Sequence, residues 1–169
     1  FIGVEPGVKP AAIHTQSGVI GVLATEKTLD SHAFNDLANR VAGHVQVEIQ
    51  PSPKLVRLVE SLQLNDAETF QAVEHNVNPL LEKGADTIIL GCTHFAHLTP
   101  VIEKVAGANV SVISTELPVA KEVVRRLETS NLLTDANTSG NVTFFSNHNE
   151  QLFEKQVSRL WGEDAKTES

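Results

Sequence analysis

Cys92 is the single cysteine of the chain, in the stretch Gly91-Cys92-Thr93-His94-Phe95, directly after the apolar run Thr87-Ile88-Ile89-Leu90. A thiol acts as base or nucleophile through its thiolate, so its neighbours decide its chemistry. Gly91 permits a tight turn, a helix start after Cys92 would lower the thiol pKa, and His94 could pass protons on or hold the thiolate. A lone cysteine also serves elsewhere as a small buried hydrophobe. The flanking Gly, Thr and His favour the chemical reading.

The other polar residues carry weaker signals. His94 and His97 have helical spacing, but no Asp, Glu or second Cys lies near them in sequence to complete a ligand set, so no metal is expected. His14, His32, His44, His75 and His148 are scattered on polar segments and are given no role. Glu60 closes Leu55-Val56-Arg57-Leu58-Val59-Glu60 and by itself reads as a helix-surface charge. Thr25 and Thr28 lie at a helix start, where two hydroxyls either cap the helix or bind a carboxylate beside free N–H groups; spacing leaves both open. Val4-Glu5-Pro6-Gly7-Val8-Lys9-Pro10 is too poor in glycine for a phosphate loop and reads as a structural turn.

Strand-length apolar runs alternate with helical periods along the whole chain, the pattern of an α/β parallel-sheet layer with crossover connections. The expected strands are 19–24, 45–49, 87–90, 110–113 and 142–145. Phe34, Leu37 and Val41 share one helical stripe, and Phe70, Val73, Val77 and Leu81 another. The second helix has a capping-box-like start, Asn65 followed by Glu68, and a stop at Gly84. Thr99-Pro100 predicts a further capped helix. Residues 128–141 predict a flexible loop, and Leu152, Phe153, Val157 and Leu160 mark the buried side of a last helix. Past Trp161 the polar tail 162–169 is expected to fray. In such a layer, ligands bind at the carboxyl ends of the strands, which is where Cys92 falls.

Composition narrows the choice. The 169 residues are 41% hydrophobic and 20% charged, enough for one real core. Thirteen Lys and Arg against 21 Asp and Glu give a formal charge of −8, which disfavours nucleic acid and anionic membranes as partners. One cysteine makes no internal disulfide, and neither a membrane-spanning run nor a secretion signal is present, so the cytoplasm is the expected compartment. The chain has no Met and opens on Phe1-Ile2-Gly3-Val4, the pattern of a strand already under way. It is expected to be the later part of a longer protein.

Val4-Glu5-Pro6-Gly7-Val8-Lys9-Pro10-Ala11, Gly21-Val22-Leu23-Ala24-Thr25 and Leu90-Gly91-Cys92-Thr93-His94-Phe95, in this order, resemble the later part of the cofactor-independent glutamate racemases of the aspartate/glutamate racemase superfamily. The resemblance runs to about Trp161. It implies a two-lobed α/β enzyme whose site lies between the lobes, with residues 1–113 as the three-layer second lobe and 114–169 returning to the first. Two cysteines there exchange the α-proton of glutamate across opposite faces without any cofactor. By resemblance Cys92 matches the base for L-glutamate, His94 its assistant and Glu60 the acidic partner, while Thr93, Thr25 and Thr28 hold substrate.

The resemblance further implies D-glutamate supply for peptidoglycan and allows a homodimer of the full-length protein. Phe95 stands where Tyr is common, Ser52 where Cys often precedes the Pro, and Ser114-Thr115-Glu116 where Asp-Ser or Asp-Thr and Gly are usual. The first lobe with its own cysteine is absent from these residues, so they hold half of a two-base site and are expected to be inactive alone. The rivals are a racemase of the same superfamily acting on aspartate or another acid, and a catalytically silent binding or regulatory homologue.

Overall fold

The structure, a computed structural model, describes residues 7–25, 28, 45–134, 140–147, 150–161 and 166–168. The expected stripe at Phe34, Leu37 and Val41 and the opening strand at 1–4 lie outside the described residues, as do His32, His44 and His148. Two compact units divide the chain, Phe1–Ser130 and Asn131–Ser169. Among the described residues no helix is long and apolar enough to cross a membrane.

The first unit is a parallel α/β layer. Its sheet runs β2-β1-β3-β4, with β1 at Val19–Ala24, β2 at Gln46–Pro51, β3 at Thr87–Leu90 and β4 at Ser111–Ile113. All its neighbouring strands are parallel. Every residue of β3 is buried, as a central strand covered on both faces must be.

Side chains alternate across β1. Ile20, Val22 and Ala24 join Ile89 and Val45 under helix α1 (Val8–His14), where they meet Val8 and Ala11. Gly21 faces the other way, toward helix α3 (Ala67–Glu82). A Cβ at position 21 would stand 2.9 Å from Leu80 Cδ1, so the missing side chain lets α3 lie close against the strand. Burying a side chain like Leu80 is worth about 1.5–3 kcal/mol.

Several local expectations shift. Residues 8–10, read as a turn, begin α1 behind Gly7; Pro10 fits because first-turn N–H groups need no helical partner. Helix α3 is capped by Asp66, whose side chain accepts from the Thr69 N–H at 2.8 Å, and not by Asn65. It does stop at Gly84, with φ of 89°. Helix α2 (Pro53–Glu60) follows β2, and helix α4 (Thr99–Ala106) begins at Thr99, whose hydroxyl caps nothing and is buried without a partner.

At the amino end of β3, Asp86 gathers four hydrogen bonds. Thr15 Oγ1, Gln16 N and Ser17 N each donate at 2.7 Å, and Thr87 Oγ1 donates at 3.0 Å. Burial works against the charge, yet these donors outweigh it and hold the carboxyl at about 2. Helix α5 (Glu116–Thr129) closes the unit with no buried residue, and Leu117, Val123 and Val124 are exposed. It runs into the expected loop 128–141, of which residues 135–139 lie outside the described ones.

The second unit holds β5 (Thr143–Phe145), helix α6 (Glu150–Leu160) and β6 (Lys166–Glu168). In α6, Val157 is buried, whereas Leu152 is 48% exposed because it sits at the edge of the stripe made by Phe153, Val157 and Leu160. Phe144 and Trp161 meet edge to face, centroids 5.2 Å apart. The tail does not simply fray: residues 166–168 pair in parallel with β5.

Candidate active site

Three segments leave the carboxyl edge of the four-stranded sheet together. The register pairs Leu23 with Leu90 and Ala24 with Pro51. Gly91 N then donates to Leu23 O at 2.8 Å, and Ser52 N to Ala24 O at 2.9 Å. Thr25, Ser52 and Gly91 are therefore the first residues past the sheet on adjacent strands, which lie about 4.8 Å apart, and Cys92 is the next one on from Gly91.

Cys92 has extended backbone and precedes a six-residue 3-10 helix, Thr93–Leu98, that leads into α4. A short 3-10 turn replaces the α-helical start that the sequence suggested. Burial pushes the half-buried thiol up, the backbone N–H groups of His94 and Phe95 pull it down, and the Glu60 carboxylate raises it again. The net direction is upward, opposite to the lowering expected from a helix start, because desolvation outweighs the two N–H groups.

Cys92 Sγ lies 3.6 Å from His94 Nδ1, and His94 Nε2 lies 3.5 Å from Glu60 Oε1. The contact exists because α2 packs against the 3-10 helix, bringing its last residue over the imidazole. Both His94 and Glu60 are partly exposed, so their attraction is screened and its value is orientation rather than stability. The chain of groups can take a proton from the sulfur and pass it outward.

Thr25 Oγ1 and Thr28 Oγ1 are 3.0 Å apart, and Thr28 N donates to Thr25 Oγ1 at 3.3 Å. This is the capping geometry, and it leaves both hydroxyls at the same edge of the sheet as Cys92. Thr93 is exposed at the start of the 3-10 helix. His97 is exposed on the same helix, and among the described residues no three His, Cys, Asp or Glu side chains converge as a metal site.

Sequence reasoning passed over Asn76. It sits on α3, only 5% exposed, and its Oδ1 accepts from Ser52 Oγ at 3.0 Å and from Gln50 Nε2 at 3.5 Å. Its Nδ2 donates to Ala72 O at 2.7 Å. A polar residue at a core position of an amphipathic helix was the available signal.

The model of the Asp/Glu/hydantoin racemase family matches residues 4–123. A glutamate racemase of Herpetosiphon aurantiacus is 42% identical over 155 residues, covering 92% of this chain and 61% of that protein. One of Pseudomonas putida strain GB-1 is 42% identical over 161 residues, covering 95% and 60%. The crystal structure of glutamate racemase isoform RacE1 from Bacillus anthracis superposes with a TM-score of 0.82 at 29% identity, covering 96% of this chain and 60% of that one. Escherichia coli glutamate racemase, crystallised in complex with L-glutamate and the activator UDP-MurNAc-ala, gives 0.81 at 27%, covering 98% and 63%. The chain spans about 60% of the length of the curated relatives it matches.

Proposed function

The chain belongs to the Asp/Glu/hydantoin racemase family, and from that premise we propose that it carries one face of a cofactor-independent site interconverting L- and D-glutamate. The observation that supports this most directly is the line Cys92–His94–Glu60 at the carboxyl edge of the sheet, with steps of 3.6 and 3.5 Å.

An amino-acid α-proton is weakly acidic, and without a cofactor the carbanion has no electron sink. The base must therefore be a thiolate held out of water, and donors must strengthen on the substrate carboxylate as charge builds there. Cys92 is half buried, and the burial that raises its pKa also makes its thiolate a stronger base. In this reading the Cys92 thiolate takes the α-proton of L-glutamate and becomes a thiol, while a second thiol gives a proton to the opposite face. His94 returns Cys92 to the thiolate, Glu60 orients His94, and Thr25, Thr28 and Thr93 hold the substrate.

The 169 residues contain one cysteine, so the second thiol of this scheme comes from outside them. Residues 1–113 are taken as the second lobe and 114–169 as returning to the first, the isolated chain being inactive. The D-glutamate formed would serve cell-wall peptidoglycan, in the cytoplasm.

The test is exchange of solvent deuterium into the α-position of L- and D-glutamate by the whole enzyme. Cys92→Ala is expected to abolish exchange from L-glutamate. More than a trace of remaining activity would remove Cys92 from the reaction. Exchange into aspartate rather than glutamate would reassign the substrate, and no exchange into any amino acid would leave a binding protein.

A further inference from the structure

Helix α2 is eight residues long, about 11–12 Å, and joins two parts of the site. Its start follows Ser52, which is hooked by its N–H onto Ala24, the neighbour of Thr25. Its end is Glu60, beside His94. Ser52 occupies the N-cap position but its side chain caps nothing. The hydroxyl is 1% exposed with its residue, and its one proton is shared between Gln50 O and Asn76 Oδ1, each 3.0 Å away.

Leu55, Leu58 and Val59 seat the helix in the core, but apolar burial is non-directional and tolerates sliding. Hydrogen bonds inside the protein carry direction, and a buried polar group with its partners met specifies one arrangement. Asn76 is anchored in turn by its bond to Ala72 O at 2.7 Å. At 3.5 Å, the Glu60–His94 contact has little slack.

We propose that Asn76 is a positioning residue of the Cys92 site: through Ser52 it sets where α2 begins, and thereby how Glu60 stands against His94 and Cys92. Its consequence for turnover rests on the racemase reading, whereas the coupling to Cys92 does not. The Glu60 carboxylate disfavours the Cys92 thiolate electrostatically. Releasing the start of α2 moves that charge away and lets the thiolate form at lower pH.

The experiment is the pH profile of Cys92 carbamidomethylation by iodoacetamide in the protein and in Asn76→Ala, Ser52→Ala and Glu60→Gln. Alkylation is read on the peptide that carries Cys92, the one cysteine of these 169 residues, by mass spectrometry, so a thiol outside them does not enter the signal. The network borders a cleft lined by Gln50, Lys54, Gln71 and His75, so water can enter where the Asn76 amide is removed. Both Asn76→Ala and Ser52→Ala are expected to move the profile to lower pH, with alkylation about two- to threefold faster near neutrality. In the Glu60→Gln background the same changes should have little further effect.

An unmoved profile in variants with native circular dichroism overturns the proposal, as does a full shift in the Glu60→Gln background. If Asn76→Ala fails to fold, Ser52→Ala decides alone, since it leaves α3 intact. A shifted profile together with no deuterium exchange into glutamate would defeat the racemase reading and leave the positioning role standing.

Discussion

The amide of Gly91 donates to the carbonyl oxygen of Leu23 at 2.8 Å, and a Cβ built on Gly91 would stand 2.8 Å from that same oxygen. A side chain at residue 91 would therefore force apart the two backbones that this hydrogen bond holds, at the end of β1 and on the approach to Cys92. Two backbones meet there, so neither can rotate aside as a side chain would.

Gly91→Ala is accordingly expected to part β1 from β3 at the carboxyl edge, lowering stability by about 1–3 kcal/mol. Urea unfolding measures it. The loss of deuterium exchange should exceed what the unfolded fraction explains, because Cys92 moves relative to Thr25. Unchanged stability would mean the edge is more pliant than the geometry states.

His94→Ala should slow exchange from L-glutamate more than from D-glutamate, since His94 touches the thiol assigned to one direction. Initial rates from the two enantiomers supply the comparison. Equal losses would make His94 a structural residue.

Asp86 links folding to pH. Its carboxyl sits at about 2 in the folded chain against about 3.9 unfolded. A depressed folded-state pKa stabilises fully above the unfolded value and loses that contribution as pH falls through the folded one. Asp86→Asn should therefore cost about 1–3 kcal/mol at neutral pH, with the gap to the parent closing between about pH 4 and pH 2. A gap independent of pH in thermal melts would assign the loss to shape rather than charge.

Chelation with EDTA should leave deuterium exchange unchanged. Loss of activity restored by a divalent metal would bring back the His94 and His97 pair as ligands.

The sheet was legible because β1 and β3 are short runs without a charged residue, largely β-branched and apolar but for Thr87, and their expected bounds match the structure. The α3 cap was missed by one residue because Asn65 and Asp66 are both competent caps, and only the folded chain shows which oxygen meets the Thr69 N–H. Asp86 could not be read as an anchor, since its donors Thr15, Gln16 and Ser17 lie about 70 positions away in sequence. Glu60 had the same difficulty. Its own segment marks only a helix-surface charge, and its meeting with His94 depends on the packing of α2 against the 3-10 helix. Cys92 was visible from local signals alone, because a glycine, a strand end and a histidine surround it in sequence.

Trp161 is the sole tryptophan, and the chain has no tyrosine. Resting against Phe144 within the unit Asn131–Ser169, it makes intrinsic fluorescence a reporter of that unit. The unit that holds Cys92 is optically silent above about 290 nm, where only indole absorbs appreciably. Within these residues a fluorescence melt would follow 131–169, and a dye on Cys92 would give the other unit its own colour, so the two could be watched unfolding in one cuvette.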